Sequence, residues 1–371
     1  MREESQEESQ EESQEVSQAA LFHGPDSPWE IRTAQRRTPE NSEILVRVVL
    51  CSICGSDLHT ICGRRHAQTP AILGHEIVGQ IVQFGPLAPR TDLAGNHLQI
   101  EDRIVWTIVA NCGKCYFCQH DLPQKCIHGY KYGHQQVQND SAWHGGFASH
   151  CTLMAGTHIV KLPEQIDERS AAPLSCATAT IAAAIRTANL VGHETVLVLG
   201  AGMLGLTACA FANKQYPWNV VCIERDAHRR QLAKQFGATS TAEPNSMTLD
   251  PNDSIIPYGF DVVLECSGTN DGALEALRLA RTGGRIILVG AVFPSQPAPI
   301  VLETIVRKQL SIHGVHNYQS QDLLAAVEFM TKHHRDFPFA QLIEHCYGLE
   351  DIQNAINSAQ DPRNIRVAIR P

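Results

Sequence analysis

Residues 51–76 contain a dense set of side chains that can bind a transition metal. The stretch reads CSICGSDLHTICGRRHAQTPAILGHE and combines cysteines and histidines with an aspartate and a glutamate around a glycine-containing turn. Thiolate, imidazole and carboxylate are the groups that bind zinc, and a reactive zinc site keeps one coordination position open. Cys54 and His75 are therefore the first predicted ligands of a catalytic zinc.

Three polar residues near these ligands have predicted supporting roles. Asp57 can orient the His75 imidazole through a hydrogen bond, while Ser56 and His59 could carry the proton of a substrate hydroxyl away. For either ligand taken alone, a buried cysteine or a core histidine would be the simpler interpretation. Two further motifs in the chain favour the metal interpretation.

The first of these motifs is a second metal pattern at residues 111–127. The spacing C-x2-C-x2-C-x7-C is formed by Cys112, Cys115, Cys118 and Cys126. Four thiolates form a closed tetrahedral shell with no position for a substrate, so this zinc is predicted to be structural. Ferredoxin-type iron–sulfur motifs place the fourth cysteine after a shorter gap and next to proline. A zinc ribbon that binds nucleic acid would need more basic residues than this lobe contains, which has only Lys114 and Lys125.

The second motif is a glycine-rich turn between an apolar strand and a helix. VLVLGAGMLG places Gly200, Gly202 and Gly205 in the pattern G-x-G-x-x-G, which is typical of a dinucleotide-binding turn. Within it, Met203 and Leu204 are predicted to contact the cofactor.

Glu224 follows the next predicted strand, where a carboxylate can bind the ribose hydroxyls of NAD and repel the extra phosphate of NADP. NAD is therefore the predicted cofactor. Arg225, Arg229 and Arg230 lie close by and keep NADP as the alternative.

Composition limits the remaining possibilities. The chain has 371 residues, 43% of them hydrophobic and 19% charged, as in a globular enzyme of two domains. Residues 1–20 repeat EESQ and hold seven glutamates and one arginine, so they account for most of the net charge of -9. We expect them to form a disordered acidic tail, with a marginal solvated helix as the alternative. The remainder lacks the concentrated basic face that nucleic-acid binding requires.

The same features predict where the protein is found. No run of eighteen or more apolar residues and no apolar signal core is present, so we expect a cytoplasmic protein without membrane contact. Thirteen cysteines in a long chain of this kind favour metal ligands and free thiols over disulfides.

The order of hydrophobic segments predicts an α/β protein with two domains. Short β-branched runs from residue 43 onward predict a partly open, antiparallel β-barrel domain over residues 21–175. Alternating strands and helices predict a doubly wound parallel sheet, a Rossmann domain, over residues 176–312. Residues 313–371, with a helix near DLLAAVEFM and a strand in NIRVAIR, are predicted to rejoin the first domain.

Together these residues resemble the zinc-dependent medium-chain alcohol dehydrogenases. The resemblance runs from about residue 21 to the C-terminus and includes CGSDLH, GHE, the four-cysteine lobe and GAGMLG in the family's order. It implies a GroES-like first domain and a third catalytic zinc ligand at Cys176. In the polyol dehydrogenases of the superfamily this ligand is the glutamate of GHE, here Glu76, which we treat as a neighbour able to exchange with Cys176. The resemblance also implies that Thr178 and Arg366 contact the cofactor, with Arg366 on the pyrophosphate.

The resemblance also bears on the substrate. Gly55 stands where the family's alcohol dehydrogenases often have a basic residue, and it matches the polyol and threonine enzymes instead. The strings CGSDLHT, GRR, LPQKC, KYGH and CATAT look most like a subgroup associated with phosphonate catabolism. Arg64 and Arg65 fall where the family lines its substrate pocket, so an anionic group on the substrate is predicted, with exposure of both arginines to solvent as the alternative.

The predicted function is thus the NAD-dependent interconversion of a small alcohol and its aldehyde or ketone, aided by two zincs per chain. The alternatives are a polyol or amino-alcohol dehydrogenase and, in a different class, a zinc-containing binding protein without turnover. A homodimer or homotetramer is the expected assembly.

Overall fold

The computed structural model describes residues 16–138, 143–215, 219–250, 252 and 256–371. Its strands are β1 (Val16–Leu21), β2 (Glu30–Gln35), β3 (Ile44–Ser52), β4 (Glu76–Phe84), β5 (Arg103–Trp106), β6 (Val109–Ala110), β7 (Tyr130–Lys131), β8 (His150–Leu153), β9 (Ile159–Lys161), β10 (Thr195–Leu199), β11 (Asn219–Ile223), β12 (Ser240–Ala242), β13 (Phe260–Glu265), β14 (Ala280–Leu288), β15 (Ser311–Gly314), β16 (Ile343–Tyr347) and β17 (Arg366–Ile369). Its α-helices are α1 (Gly55–Ile61), α2 (Tyr116–Gln119), α3 (Glu168–Ala171), α4 (Ala177–Ala188), α5 (Met203–Gln215), α6 (Ala227–Gln235), α7 (Asn270–Leu279), α8 (Leu302–Lys308), α9 (Ser320–His333) and α10 (Ile352–Gln360). The predicted α/β class is confirmed.

The nucleotide domain is built on a six-stranded parallel sheet. Its strand order is β12-β11-β10-β13-β14-β15, which is the doubly wound arrangement that the sequence predicted. Successive side chains of a strand point to opposite faces, so Val196 and Val198 pack in the core that holds α4, α5 and α9. Leu197 and Leu199 pack on the other face, where α7 contributes buried residues. Both faces are covered, which explains the continuous apolar runs.

The first domain is organised around β3. This strand pairs antiparallel with β4, β8 and β17, inside a sheet of order β16-β17-β3-β4-β5-β9. Trp106, Tyr132 and Phe147 are among its largest fully buried side chains. The C-terminal strand β17 thus pairs with β3 in the sheet of the first domain.

The return to the first domain begins later than the predicted boundary at residues 312/313. That boundary falls inside β15, which continues to Gly314 and pairs with β14. Helix α9 then packs against α4 on the nucleotide domain, and Phe337 and Phe339 beyond it still pack against Phe236 of this domain. The sequence alone does not reveal this because the strand is short and its side chains are exposed.

The N-terminal prediction is corrected in part. Residues 16–20, assigned to the acidic tail, lie in β1, where Ala19 and Ala20 are fully buried. Pairing with β2 and a hydrogen bond from Ala20 N–H to the Phe147 carbonyl stabilise this short segment. The tail predicted for residues 1–15 lies outside the described residues.

The structure also bears on the predictions about disulfides and about membrane-spanning segments. All thirteen cysteines are free thiols. Among the described residues, no helix has both the length and the apolar composition needed to cross a bilayer.

Candidate active site

Strand register brings the first predicted zinc ligands together. In the antiparallel pair of β3 and β4, Ser52 lies opposite Glu76, so Cys54 just beyond β3 is close to His75 just before β4. On the other side of β3, Ser52 lies opposite Ala368 of β17. The same antiparallel register brings Arg366 to Cys54, and the guanidinium Nη2 lies 3.7 Å from the Cys54 Sγ.

Cys176 joins this pair from the start of α4. The Ser175 hydroxyl donates to the His75 carbonyl oxygen and accepts from the Ile77 N–H, both at 3.3 Å, which fixes the chain next to β4. The ligand atoms of Cys54, His75 and Cys176 all lie within 4.8 Å of one another. Two thiols and an imidazole converging in this way fit the three protein ligands of a catalytic zinc.

Glu76 is not part of this group. Its two carboxylate oxygens accept from Arg366 Nε at 3.1 Å and Nη2 at 3.2 Å, and the Ser52 hydroxyl donates to one of them. Burial raises the pKa of Glu76 to about 7, while the Arg366 guanidinium acts in the opposite direction. Because successive residues of a strand point to opposite sides, His75 and Glu76 diverge at the start of β4. The structure therefore favours Cys176 over Glu76 as the third ligand.

Asp57 occupies the orienting position that the sequence predicted. It is 2% exposed, and its carboxylate contacts His75 Nδ1 at 3.2 Å. It also accepts the N–H groups of Cys54 at 2.9 Å and Gly74 at 3.3 Å. One carboxylate thus positions both chain segments that carry the first two ligands.

The electrostatics of the cysteines suit metal binding. A hydrogen bond from Cys176 lowers the pKa of Cys54 well below the ordinary value for a thiol, although burial acts against it. The same interaction raises the pKa of Cys176. The thiolate form that zinc requires is therefore favoured at Cys54.

The two predicted proton carriers lie in the same cleft without a direct hydrogen bond between them. Ser56 Oγ is 3.2 Å from His75 Nε2. The His59 ring stacks on Phe293 with centroids 3.7 Å apart, and its buried Nδ1 has no hydrogen-bond partner among the described residues. Burial, followed by the charge of Arg64, lowers the pKa of His59. A proton relay through both residues stays a prediction.

The four-cysteine lobe has the geometry of a structural zinc site. The ligand atoms of its cysteines all lie within 4.8 Å of one another. Cys115 Sγ is 3.5 Å from Cys118 Sγ and 3.8 Å from Cys126 Sγ. A tetrahedron with zinc–sulfur bonds of about 2.3 Å has edges of about 3.8 Å, so the sulfurs are spaced to bind one zinc and not to form disulfides.

The glycine motif leaves open space for a dinucleotide. Gly200 has a φ of 91°, which only glycine adopts without strain, and a Cβ on Gly205 would lie 1.8 Å from the Gly200 carbonyl oxygen. Nothing lies within 4 Å of the position of a Cβ on Gly202. This is the close approach that a pyrophosphate needs. Met203 and Leu204 line the same cleft, and their contact with the cofactor stays a prediction.

Glu224 lies directly beside this turn. Its Oε2 accepts the Ala201 N–H at 2.7 Å and its Oε1 accepts the Asp226 N–H at 3.0 Å. Of the neighbouring basic residues, Arg230 is bound to backbone carbonyls and to Glu243, whereas Arg225 is exposed. The carboxylate is therefore held in place by backbone donors.

The prediction for Thr178 requires correction. Thr178 is fully buried in α4 and does not line the cleft, whereas Thr180 does. A helix turns by about 100° per residue, so Thr180, four residues after Cys176, shares its face, while Thr178 points away. The helical period, applied to CATAT, would have identified Thr180.

The three candidate zinc ligands, Ser56, His59 and the glycine turn open onto one cleft of about 500 Å³ between the two domains. Both arginines of the GRR string line the cleft, but they differ in burial: Arg64 is exposed and donates to the Cys62 thiol, whereas Arg65 is half-buried. Arg65 Nη1 donates to His134 Nε2 at 2.7 Å. Sequence reasoning missed Lys131, which also lines the cleft; the basic KYGH string was the available signal.

Comparison with known proteins agrees with this geometry. Residues 40–164 match the alcohol dehydrogenase GroES-like domain family, and residues 204–332 match the zinc-binding dehydrogenase family. The L-threonine 3-dehydrogenase of Thermococcus kodakarensis is 31% identical over 289 residues, covering 75% of this chain and 76% of that protein. The chain belongs to the zinc-binding medium-chain alcohol dehydrogenase family. This alcohol dehydrogenase is therefore a zinc-dependent oxidoreductase that uses a nicotinamide cofactor.

Two further similarities extend over nearly the whole chain. A crystal structure of an alcohol dehydrogenase from Thermotoga maritima superimposes with a TM-score of 0.88 at 26% identity, covering 96% of this chain and 99% of that one. The D-arabitol-phosphate dehydrogenase of Enterococcus avium is 27% identical over 337 residues, covering 89% of this chain and 90% of that protein. The GroES-like and Rossmann domains predicted for this alcohol dehydrogenase are thereby confirmed.

Proposed function

We propose that this alcohol dehydrogenase oxidises a small alcohol bearing an anionic group, such as a hydroxyalkylphosphonate or a phosphorylated alcohol, to its aldehyde or ketone with NAD. The observation that carries the proposal is the position of Arg65. Its guanidinium lies at the wall of the cleft that contains Cys54, His75 and Cys176. Among the described residues that line this cleft, none is an aspartate or a glutamate.

Each group in the cleft has a defined part in this reaction. Zinc at the Cys54–His75–Cys176 group would supply Lewis-acid chemistry that lowers the pKa of the substrate hydroxyl, and NAD would supply the hydride acceptor. Asp57 keeps the His75 imidazole oriented. Ser56 would accept the substrate hydroxyl proton while releasing its own, and His59 would pass the released proton to solvent. The second zinc, in the four-cysteine lobe, would stabilise the fold.

NAD is the proposed cofactor because of Glu224. A fixed carboxylate at this position accepts hydrogen bonds from ribose hydroxyls and repels a 2'-phosphate. The two backbone N–H groups that bind Glu224 hold its charge beside the glycine turn. Arg225 is exposed and could bind a 2'-phosphate only if this repulsion were removed.

An anionic substrate also has a precedent among the relatives. The Enterococcus avium relative acts on D-arabitol phosphate, as its name states, so a phosphorylated substrate is compatible with this family. Arginine binds phosphate-like oxygens through a rigid, planar set of donors, which makes Arg65 a suitable recognition residue.

An amino-alcohol or polyol substrate is the second candidate. Gly55 follows the first zinc cysteine, as in the polyol and threonine enzymes, and the relative from Thermococcus kodakarensis is an L-threonine 3-dehydrogenase. The absence of aspartate and glutamate among the described cleft residues argues against recognition of an ammonium group there.

We also propose that the enzyme works as a homodimer or homotetramer. Strand β15 forms an edge of the parallel sheet, and all four of its residues are exposed. Nearby, Leu302 and Val306 of α8 are 71% and 74% exposed. An exposed strand edge beside apolar side chains is typical of a protein interface.

The test is a panel of substrates whose oxidation rates are measured through the absorbance of the NADH that forms. The panel pairs each short hydroxyalkylphosphonate with a neutral alcohol of equal length, and adds L-threonine and sorbitol. We expect kcat/KM for the anionic alcohol to exceed that of its neutral counterpart, and Arg65→Leu to reduce this preference by ~2 kcal/mol or more. Equal kcat/KM for the two alcohols in the wild-type enzyme would refute the anionic substrate and favour the amino-alcohol or polyol candidate.

A further inference from the structure

The wall of the cleft beside the zinc ligands carries a lysine without a counter-ion. Lys131 ends β7, is partly buried and lines the cleft. Its ammonium group makes no hydrogen bond or ion pair with any described residue. Because this ammonium group opens to the cleft and has no counter-ion, it is free to bind an anionic group that enters the cleft.

Arg65 lies next to this lysine and is held in place by His134. The Tyr132 carbonyl can only accept, so His134 Nδ1 carries the proton and donates to it at 2.8 Å. The other ring nitrogen, Nε2, must then accept from the Arg65 guanidinium at 2.7 Å. His134 is therefore a neutral positioning residue that fixes one Arg65 donor and leaves the others available to the cleft.

His316 supplies a third donor by the same reasoning. The Lys125 ammonium donates to His316 Nδ1, so the ring proton is on Nε2. His316 lines the cleft together with Arg65 and Lys131. Burial, followed by the charges of Lys125 and Lys131, lowers the pKa of His316 to about 4, which keeps the ring neutral.

Among the described residues that line the cleft, none is an aspartate or a glutamate, and the carboxylate whose charge acts on Arg65 is the buried Asp57 outside this lining. Arg366 also lines the cleft, but its charge is offset by the two hydrogen bonds to Glu76. Burial and the charge of Arg65 lower the pKa of Lys131 to about 8, with Lys125 contributing in the same direction and the thiolates of Cys54 and Cys176 opposing it. Lys131 and Arg65 thus make the electrostatic potential positive at the wall of the cleft that they share.

We propose that Lys131, Arg65 and His316 form a subsite for the tetrahedral phosphoryl or phosphonyl group of the substrate. This inference rests on the proposed function and deepens it. Three N–H donor groups with two positive charges match a dianion with three oxygens better than a carboxylate with two.

The subsite lies close enough to the metal group for one small molecule to reach both. The His134 ring is 4.9 Å from the ring of His75, centroid to centroid, and it bonds directly to Arg65. One imidazole therefore separates the guanidinium from a zinc ligand. The anionic group and the reacting hydroxyl belong on the same short alcohol.

Direct binding measurements on the zinc-loaded enzyme saturated with NADH test this proposal. With NADH bound, the phosphates of the cofactor already occupy their own site. The binding of added methylphosphonate, measured by calorimetry, then detects only the remaining anion sites. We expect Lys131→Met to weaken methylphosphonate binding by about tenfold or more, the effect of losing one charge-assisted hydrogen bond. Lys131→Arg should restore most of the affinity.

Control ligands and variants distinguish the possible results. Lys332→Met removes an exposed lysine on α9 and should leave methylphosphonate binding unchanged. Acetate should bind more weakly than methylphosphonate. Comparing methyl phosphate with methylphosphonate, and then the matching hydroxyalkyl substrates, shows whether the natural group is a phosphate ester or a phosphonate. Arg65→Leu provides an independent variant if thermal unfolding shows that Lys131→Met is destabilised.

Two results would overturn the subsite. One is the absence of methylphosphonate binding to the wild-type complex, and the other is equal binding by the wild-type and the folded Lys131→Met and Arg65→Leu variants. If neutral alcohols are nevertheless oxidised, the alcohol dehydrogenase activity stands and only the anion subsite fails. If methylphosphonate binds with the expected pattern but the anionic alcohols are not oxidised preferentially, the subsite stands and the proposed substrate fails.

Discussion

Replacing Asp57 by asparagine is expected to weaken catalytic zinc binding while the fold is retained. Asp57 Oδ1 contacts His75 Nδ1 at 3.2 Å and the Gly74 N–H at 3.3 Å, and Oδ2 accepts the Cys54 N–H at 2.9 Å. An asparagine keeps only one oxygen. If that oxygen stays with His75, the amide nitrogen faces the Cys54 N–H, and two donors oppose each other.

The expected magnitude follows from these contacts. Hydrogen bonds to charged groups contribute about 1.5–3 kcal/mol, and Asp57 is 2% exposed, so solvent cannot replace the lost acceptor. Removing the partner of a zinc-binding histidine typically lowers metal affinity by about 10–100-fold. We therefore expect the dissociation constant for the catalytic zinc to rise by about 10–100-fold, and the free energy of unfolding to fall by ~1–3 kcal/mol.

The assay is zinc transfer to a chromogenic chelator, with metal content measured at each step. Wild-type enzyme should release its two zincs in two stages, the catalytic zinc first and the zinc of the four-cysteine lobe second. In Asp57→Asn only the release of the catalytic zinc should shift to a lower chelator concentration, because the four-cysteine lobe does not contact Asp57. Asp92→Asn is the matched control, since Asp92 is also buried and accepts the N–H groups of Ala94, Asn96 and Lys161. A zinc affinity in Asp57→Asn within about twofold of wild type, or an equal loss in Asp92→Asn, would refute the orienting role.

Four other outcomes are expected. Cys112→Ser should lower the midpoint of thermal unfolding because a bound structural zinc contributes to folding free energy, whereas Cys54→Ser should keep the fold and abolish NADH formation. Glu224→Ser should narrow the preference in kcat/KM for NAD over NADP by about tenfold or more, and equal wild-type activity with both cofactors would contradict the assignment. His59→Gln should depress turnover most at low pH, by up to about a hundredfold, with partial rescue by external imidazole; an unchanged pH-rate profile would remove His59 from the relay. Because burial lowers the pKa of Lys131 to about 8, the lysine loses its charge as the pH rises through that value, so KM for an anionic alcohol should increase above pH 8 and the increase should be absent in Lys131→Arg.

Much of the active site was predictable because its motifs are local. The four cysteines of the lobe are enclosed within residues 111–127, and the glycine turn needs only the preceding strand and the following helix. Asp57 lies three residues after Cys54, so one short helix sets its relation to that ligand. In each case the spacing along the chain fixes the spacing in space.

The proposed anion subsite was harder to predict from the sequence because its three residues come from separate segments of the chain. Arg65 follows α1, Lys131 ends β7 and His316 follows β15, and no pattern along the chain relates them. Whether Arg65 faced solvent or the cleft depended on His134, which holds it inward. The choice between the two candidate third ligands was likewise open until Arg366 was seen to bind Glu76.

The sequence by itself therefore determined the α/β class, the four-cysteine lobe, the glycine turn and the pairing of Cys54 with His75 at the candidate zinc site, since each depends on residue types at short, fixed separations. The tertiary structure decided which residues share the cleft: it favoured Cys176 over Glu76, replaced Thr178 by Thr180, and brought Lys131 to Arg65. Those relations arise from strand register and domain packing between distant segments, and short-range spacing carries no information about them.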